Sequence, residues 1–132
     1  RHIEGIRKLT VEDILDCRVP DDSILLAANS VDVHGKFGPL SNEYITIPPG
    51  KYYGVPYGCL VPVGIKNLLV AGRSISADSD AAGAIRVMPP CMGLGQAAGV
   101  AAALCAESRT EPAVCDMQKL RQRLIEQKVY LQ

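Results

Sequence analysis

A chain of 132 residues, 48% of them apolar, carries enough hydrophobic material for one small core or one part of a larger domain. Fourteen basic residues balance fourteen acidic ones, so no bulk charge draws the chain to nucleic acid or to an anionic membrane. The five cysteines (Cys17, Cys59, Cys91, Cys105 and Cys115) are odd in number and lack C-x-x-C spacing, which argues against a disulfide framework and against any metal site, and suits reduced, buried thiols.

Residues 1–9 alternate weakly and read as a strand. Thr10 reads as an N-cap with Asp13 in the capping-box place, opening a short helix that ends near Cys17, ahead of Pro20. Residues 23–29 and 31–34 read as strands broken at Asn29-Ser30. Residues 35–49 hold two glycines and three prolines and read as an ordered loop in which 44–47 can pair. Residues 51–61 place Tyr52, Tyr53 and Tyr57 among β-branched residues and prolines, a pattern for an edge strand or for the lining of a substrate cleft.

Asn67-Leu68-Leu69-Val70-Ala71 is a continuous apolar run closed by Gly72, which predicts a strand buried on both faces. Residues 74–90 then read as a long functional connection stopped by Pro89-Pro90. A helix over about 92–106 is apolar almost all round and is expected to be buried. Gly95 and Gly99, one turn apart, give it a bare face for another backbone. That segment is too short, and too rich in glycine and alanine, to predict a membrane span. Asp116 caps a last helix over 117–127, with Met117, Leu120, Leu124 and Ile125 as its apolar stripe.

The stretch with the most chemistry is Val70-Ala71-Gly72-Arg73, the connection, and then Met88 through Gly99. A strand, a glycine turn and a buried helix would set unpaired N–H groups and the positive dipole end at the helix start. Such a place suits an anion or an electron-rich carbonyl, although loop carbonyls and water satisfy it equally well. Gly93-Leu94-Gly95-Gln96-Ala97-Ala98 fits G-x-G-x-x-A, but Pro89-Pro90 stands where the preceding strand is required, so a complete dinucleotide-binding unit is rejected. His34 shares a strand face with Asp32, as a carboxylate-oriented proton carrier or as a structural pair. Arg86 suits either an anion or an ion pair with Asp78 or Asp80. Cys91, just before the expected helix start, is a reactive thiol or an inert one.

These blocks also carry a resemblance. Tyr57-Gly58-Cys59-Leu60-Val61-Pro62, residues 67–73, Arg86-Val87-Met88 and Gly95-Gln96-Ala97-Ala98-Gly99-Val100-Ala101-Ala102 resemble a bacterial FAD-dependent oxidoreductase family with a glutathione-reductase-like flavin domain. Arg1-His2-Ile3-Glu4-Gly5, Leu9-Thr10, Glu12-Asp13 and Val31-Asp32-Val33-His34-Gly35 are similar to the same family, so the likeness covers nearly the whole chain. It implies that Ala71, Gly72 and Arg73 end a strand beside the ribityl and pyrophosphate of FAD. It also implies that Leu94, Gly95, Gln96 and Ala97 present backbone N–H groups to the pyrimidine edge, and that Arg86 passes near flavin and substrate.

The expectation that results is an α+β fragment of a larger α/β FAD-binding fold. Residues 1–62 would form a substrate-side or connecting segment, and 63–132 the C-terminal part of the FAD-binding domain. Its function would be the isoalloxazine and ribityl side of a flavin site for hydride transfer with a small-molecule substrate, with His34, Tyr57 and Arg86 as catalytic candidates. The G-x-G-x-x-G that grips ADP is absent, and the chain starts with Arg1 rather than Met. It therefore reads as a fragment, inactive alone, partnered by a missing N-terminal half, prone to self-associate, and placed in the cytoplasm with neither membrane nor nucleic acid as partner. The other readings are a non-catalytic binding or interaction domain and an NAD(P)-binding unit built on residues 93–98.

Overall fold

A computed structural model describes residues 2–34 and 42–131, and at 33, 34 and 42–44 the backbone alone. The element order is α1 (Val11–Leu15), β1 (Ser23–Ala27), β2 (Val31–His34), β3 (Asn42–Ile45), β4 (Tyr53–Pro56), α2 (Ser79–Ile85), α3 (Met88–Ser108) and α4 (Met117–Glu126), with short 3-10 turns at Tyr57–Leu60, Gly72–Ser74 and Pro112–Val114. The architecture is α+β.

The expected cap of α1 is present. Asp13 N–H donates to Thr10 Oγ1 at 3.3 Å, and Thr10 N–H donates to Asp13 Oδ2 at 3.2 Å. The helix stops at Leu15, and Cys17 turns left-handed at φ 53°. The expected strand over 1–9 is reduced to two isolated bridges, Gly5 to Pro62 and Leu9 to Ala77. β1 pairs antiparallel with β4, and β2 with β3, as two separate two-stranded sheets. Gly54 is required in β4, because a Cβ there would lie 2.2 Å from Ser23 Oγ.

The apolar run 67–71 is extended but is not a strand. Val70 N–H donates to Leu60 O at 2.9 Å, Leu68 is exposed, and no described strand lies alongside it. A strand buried on both faces needs neighbours on both edges, and the described residues supply none.

The stretch 74–90 is shorter as a connection than its sequence suggests, because Asp78 starts a helix inside it. Asp78 Oδ1 accepts from Ala81 N–H at 2.7 Å and its Oδ2 accepts from Val11 N–H at 2.8 Å, so one carboxylate caps α2 and ties α1 to it. After α2 ends at Ile85, only Arg86 and Val87 intervene before α3 begins at Met88, four residues ahead of the expected start. Pro89 and Pro90 lie in its first turn rather than before it. Proline has no N–H to lose there, and its fixed φ already suits a helix.

The longer α3 also removes length as an argument against a membrane span: its 21 residues are long and apolar enough by composition alone. In the structure it packs on β1 and α4. A single hydrophobic cluster joins Leu9, Ile14, Ile24, Tyr53, Leu60 and Ile75 to Leu94, Ala97, Leu104, Leu120 and Leu124. It therefore draws on both sides of residue 62.

Candidate functional site

Four pieces of chain meet where α2 gives way to α3. Ala71 is extended, and Gly72 takes φ +69°, a left-handed conformation that favours glycine. A Cβ on Gly72 would lie 3.8 Å from Cys91 Sγ, which places this turn against the first turn of α3. Arg73 Nε–H donates to Arg86 O at 3.1 Å and so ties the turn to the C-cap of α2. Arg86 Nη2–H donates to Asp32 Oδ2 at 3.0 Å, which ties the same residue to β2. Gly83 allows that approach: a Cβ there would fall 2.5 Å from Asp32 O.

The Arg86–Asp32 pair is half-exposed, so it contributes no more than about 1 kcal/mol and serves mainly to orient the guanidinium. It replaces the expected partners, Asp78 and Asp80. Asp78 is instead committed as a helix cap. No sequence signal links residues 32 and 86, because they lie on different elements. The weak clue was Gly83, a glycine inside a helix that needs a reason to be there.

The helix start itself offers less than expected. Pro89 and Pro90 carry no N–H, and Cys91 N–H already reaches Val87 O at 3.2 Å. The first turn therefore leaves the Met88 N–H outside the helix ladder. Leu94, Gly95, Gln96 and Ala97 lie in the second and third turns, where N–H groups bond to carbonyls four residues back. They cannot present those groups to a ligand, which corrects their expected role. They also split between faces. Leu94 and Ala97 are fully buried in the core, whereas Gly95 has nothing within 4 Å of a Cβ, and Gln96 Nε2–H donates to Gln127 Oε1 at 3.0 Å. Residues 93–98 are likewise no phosphate loop, since Gly93 lies inside α3 with α2, not a strand, before it.

Tyr57 is a core residue. It is 4% exposed, its O–H donates to Pro112 O at 2.9 Å, and burial pushes its phenol far above the ordinary range. Its hydroxyl is thus engaged by Pro112 O inside the core rather than turned to a surface cleft. Tyr53 is fully buried and Tyr52 packs edge-on against Tyr130 at 6.4 Å, so the three tyrosines do not line one cleft. His34 ends β2 opposite Asn42, and its side chain lies outside the described residues. Cys91 directs its thiol at Ile85 O, 3.5 Å away.

The junction thus gathers Gly72, Arg73, Arg86 and the start of α3, with Asp32 behind Arg86. Beside the Arg86–Asp32 ion pair, the Arg73 guanidinium and the helix dipole add positive character suited to an anion or to an electron-rich carbonyl edge. A cavity of about 730 Å³ between Asp21–Asp22 and α4 includes none of these residues. Among known proteins, a family model described as FAD dependent oxidoreductase matches residues 1–124. No curated protein and no solved structure matches the chain.

Proposed function

The chain belongs to the FAD dependent oxidoreductase family, and on that premise we propose that it forms the isoalloxazine and ribityl side of a flavin site that exchanges hydride with a small-molecule substrate. One observation supports this above others: Gly72, Arg73, Arg86 and the start of α3 converge on one junction. FAD, the family's cofactor, supplies the two-electron chemistry through its ring system. The residues of this chain bind and orient. Gly72 keeps the backbone bare for close approach. Arg86, held by Asp32, and Met88 N–H would hold the pyrimidine edge, where positive charge favours the reduced ring. Met88 takes the part first assigned to the N–H groups of residues 94–97.

The sequence has no G-x-G-x-x-G after a strand, so in this reading the pyrophosphate and adenosine are held by a segment outside these 132 residues. That segment is the N-terminal half of the same enzyme, and turnover belongs to the two together. A second reading, a non-catalytic interaction domain, draws support from the exposed Met88 and Met92 on α3.

A titration of the purified chain with FAD, followed by flavin absorbance and fluorescence, tests the proposal. Saturable binding is expected, with riboflavin competing and ADP not competing. Arg86→Gln should weaken it roughly tenfold or more, the scale of one lost charge-assisted hydrogen bond. Gly72→Val should abolish it, and Gly95→Leu should leave it unchanged. Loss of binding in Gly95→Leu with none in Arg86→Gln would move the site to the exposed face of α3. No saturable binding would reduce this chain to a structural portion of the site.

A further inference from the structure

Arg73 and Arg86 meet at the junction, and their guanidinium groups stand in different states. Arg86 Nη2–H donates to Asp32 Oδ2 at 3.0 Å, so its charge is met within the chain. Arg73 Nε–H donates to Arg86 O at 3.1 Å, and among the described residues no acceptor pairs with its Nη1 or Nη2. One bond therefore fixes where the Arg73 guanidinium stands and leaves its outer end uncommitted. Arg73 is exposed, and it follows the left-handed Gly72 that sets this turn against the first turn of α3.

The Nη1–Nη2 end of an arginine is a planar fork that matches the two oxygens of a carboxylate. A phosphate is usually held by several backbone N–H groups at a helix start. Here Pro89 and Pro90 have none to offer in the first turn of α3. Val87 and Met88, the two residues after Arg86, are exposed and put apolar surface next to the charged groups.

We propose that Arg73 binds the substrate of this site, and that the substrate is a monocarboxylate with an apolar body. Its carboxylate pairs with the Nη1–Nη2 fork of Arg73. That the ligand is a substrate rests on the flavin site proposed above, whereas the carboxylate site rests on Arg73 alone. The two arginines then divide the work. Arg86, held by Asp32, serves the ring edge, and Arg73 selects the molecule that meets the ring. A neutral molecule of the same shape is rejected, because it leaves the fork without an acceptor of matching charge.

The test titrates the purified, isotope-labelled chain without flavin. Benzoate is the carboxylate, benzamide its neutral counterpart and inorganic phosphate the cofactor-like anion. The Arg73 Nε–H resonance, assigned through its bonded nuclei, should shift saturably with benzoate, stay still with benzamide and respond more weakly to phosphate. Arg73→Gln should weaken benzoate binding about tenfold or more, read from the Ser74 amide, on the scale of a lost charge-assisted hydrogen bond. Arg73→Lys keeps the charge without the fork and should fall between the two. An Arg73 resonance that benzoate leaves unmoved would overturn the proposal. So would phosphate binding tighter than benzoate there, which would give the fork to the cofactor's phosphates. Equal benzoate affinity in the native and Arg73→Gln chains would also overturn it, by placing the anion elsewhere. The native titration decides the matter even where a variant fails to fold. Failure of the flavin reading looks different: FAD then does not bind, while benzoate still moves the Arg73 resonance and the carboxylate site is upheld.

Discussion

α3 has two faces of similar apolar composition in opposite surroundings. Leu94, Ala97, Ala101, Leu104 and Cys105 are buried within the core, whereas Met88 and Met92 are 78% and 74% exposed, in line with exposed Gly95, Gly99 and Ala102. Gly93 and Gly95 mark the contrast within one turn. A Cβ at Gly93 would lie 2.7 Å from Leu25 Cδ1, and one at Gly95 would meet nothing within 4 Å. A helix apolar all round is expected to be covered all round, and the described residues cover only part of this one. The extended run 67–71, which has no strand neighbour among the described residues, repeats that pattern in backbone form.

The largest test sets the two faces against each other. Leu94→Ala should cost roughly 2–5 kcal/mol of stability through the cavity it leaves. Gly95→Ala, on the open face, should be neutral or stabilise by up to roughly 1 kcal/mol, since alanine favours the helix and has room. Urea unfolding of the two variants measures both. Equal losses would mean that the open face is covered after all.

The covered side should also respond to alkali. Burial pushes up the phenol of Tyr57 and the thiols of Cys59 (to about 12) and Cys115 (to about 11). A group whose acid form is favoured by folding gives stability below its unfolded value and loses it as pH rises above that value. Stability should therefore hold up to about pH 9, the ordinary thiol value, and decline from there toward about 12. Denaturant midpoints at neutral pH and at pH 10 measure this. A flat profile would show that these groups reach water in the folded chain.

How much of this was legible in the sequence follows physical range. Local chemistry could be read: the Thr10–Asp13 capping box, the Asp116 cap of α4, and the apolar stripe that buries Leu120 and Leu124. The start of α3 was misread because Pro-Pro reads as a stop, although the first turn of a helix tolerates it. That single shift moved residues 94–97 from the helix end to its interior and withdrew their N–H groups. Long-range pairings left no periodic trace. Asp32 with Arg86 and Tyr57 with Pro112 are each set by how elements pack, and the spacing of residues along the chain does not encode that.

The smallest effect on stability, and the sharpest on the open face, belongs to Met92→Lys. Met92 is exposed, so the substitution should shift stability by no more than about 0.5 kcal/mol. Apolar surface that the described residues do not cover is expected to draw a second copy at high concentration. Sedimentation velocity of the native chain should then show mass rising with concentration, and Met92→Lys should remain monomeric, because a lysine ammonium resists burial in an apolar contact. A native chain that stays monomeric throughout would remove self-association, since the face would then be too small or too mobile to hold another copy. Association that persists unchanged in Met92→Lys would place the contact elsewhere, with exposed Ile6, Val63 and Ile65 as the next surface to alter.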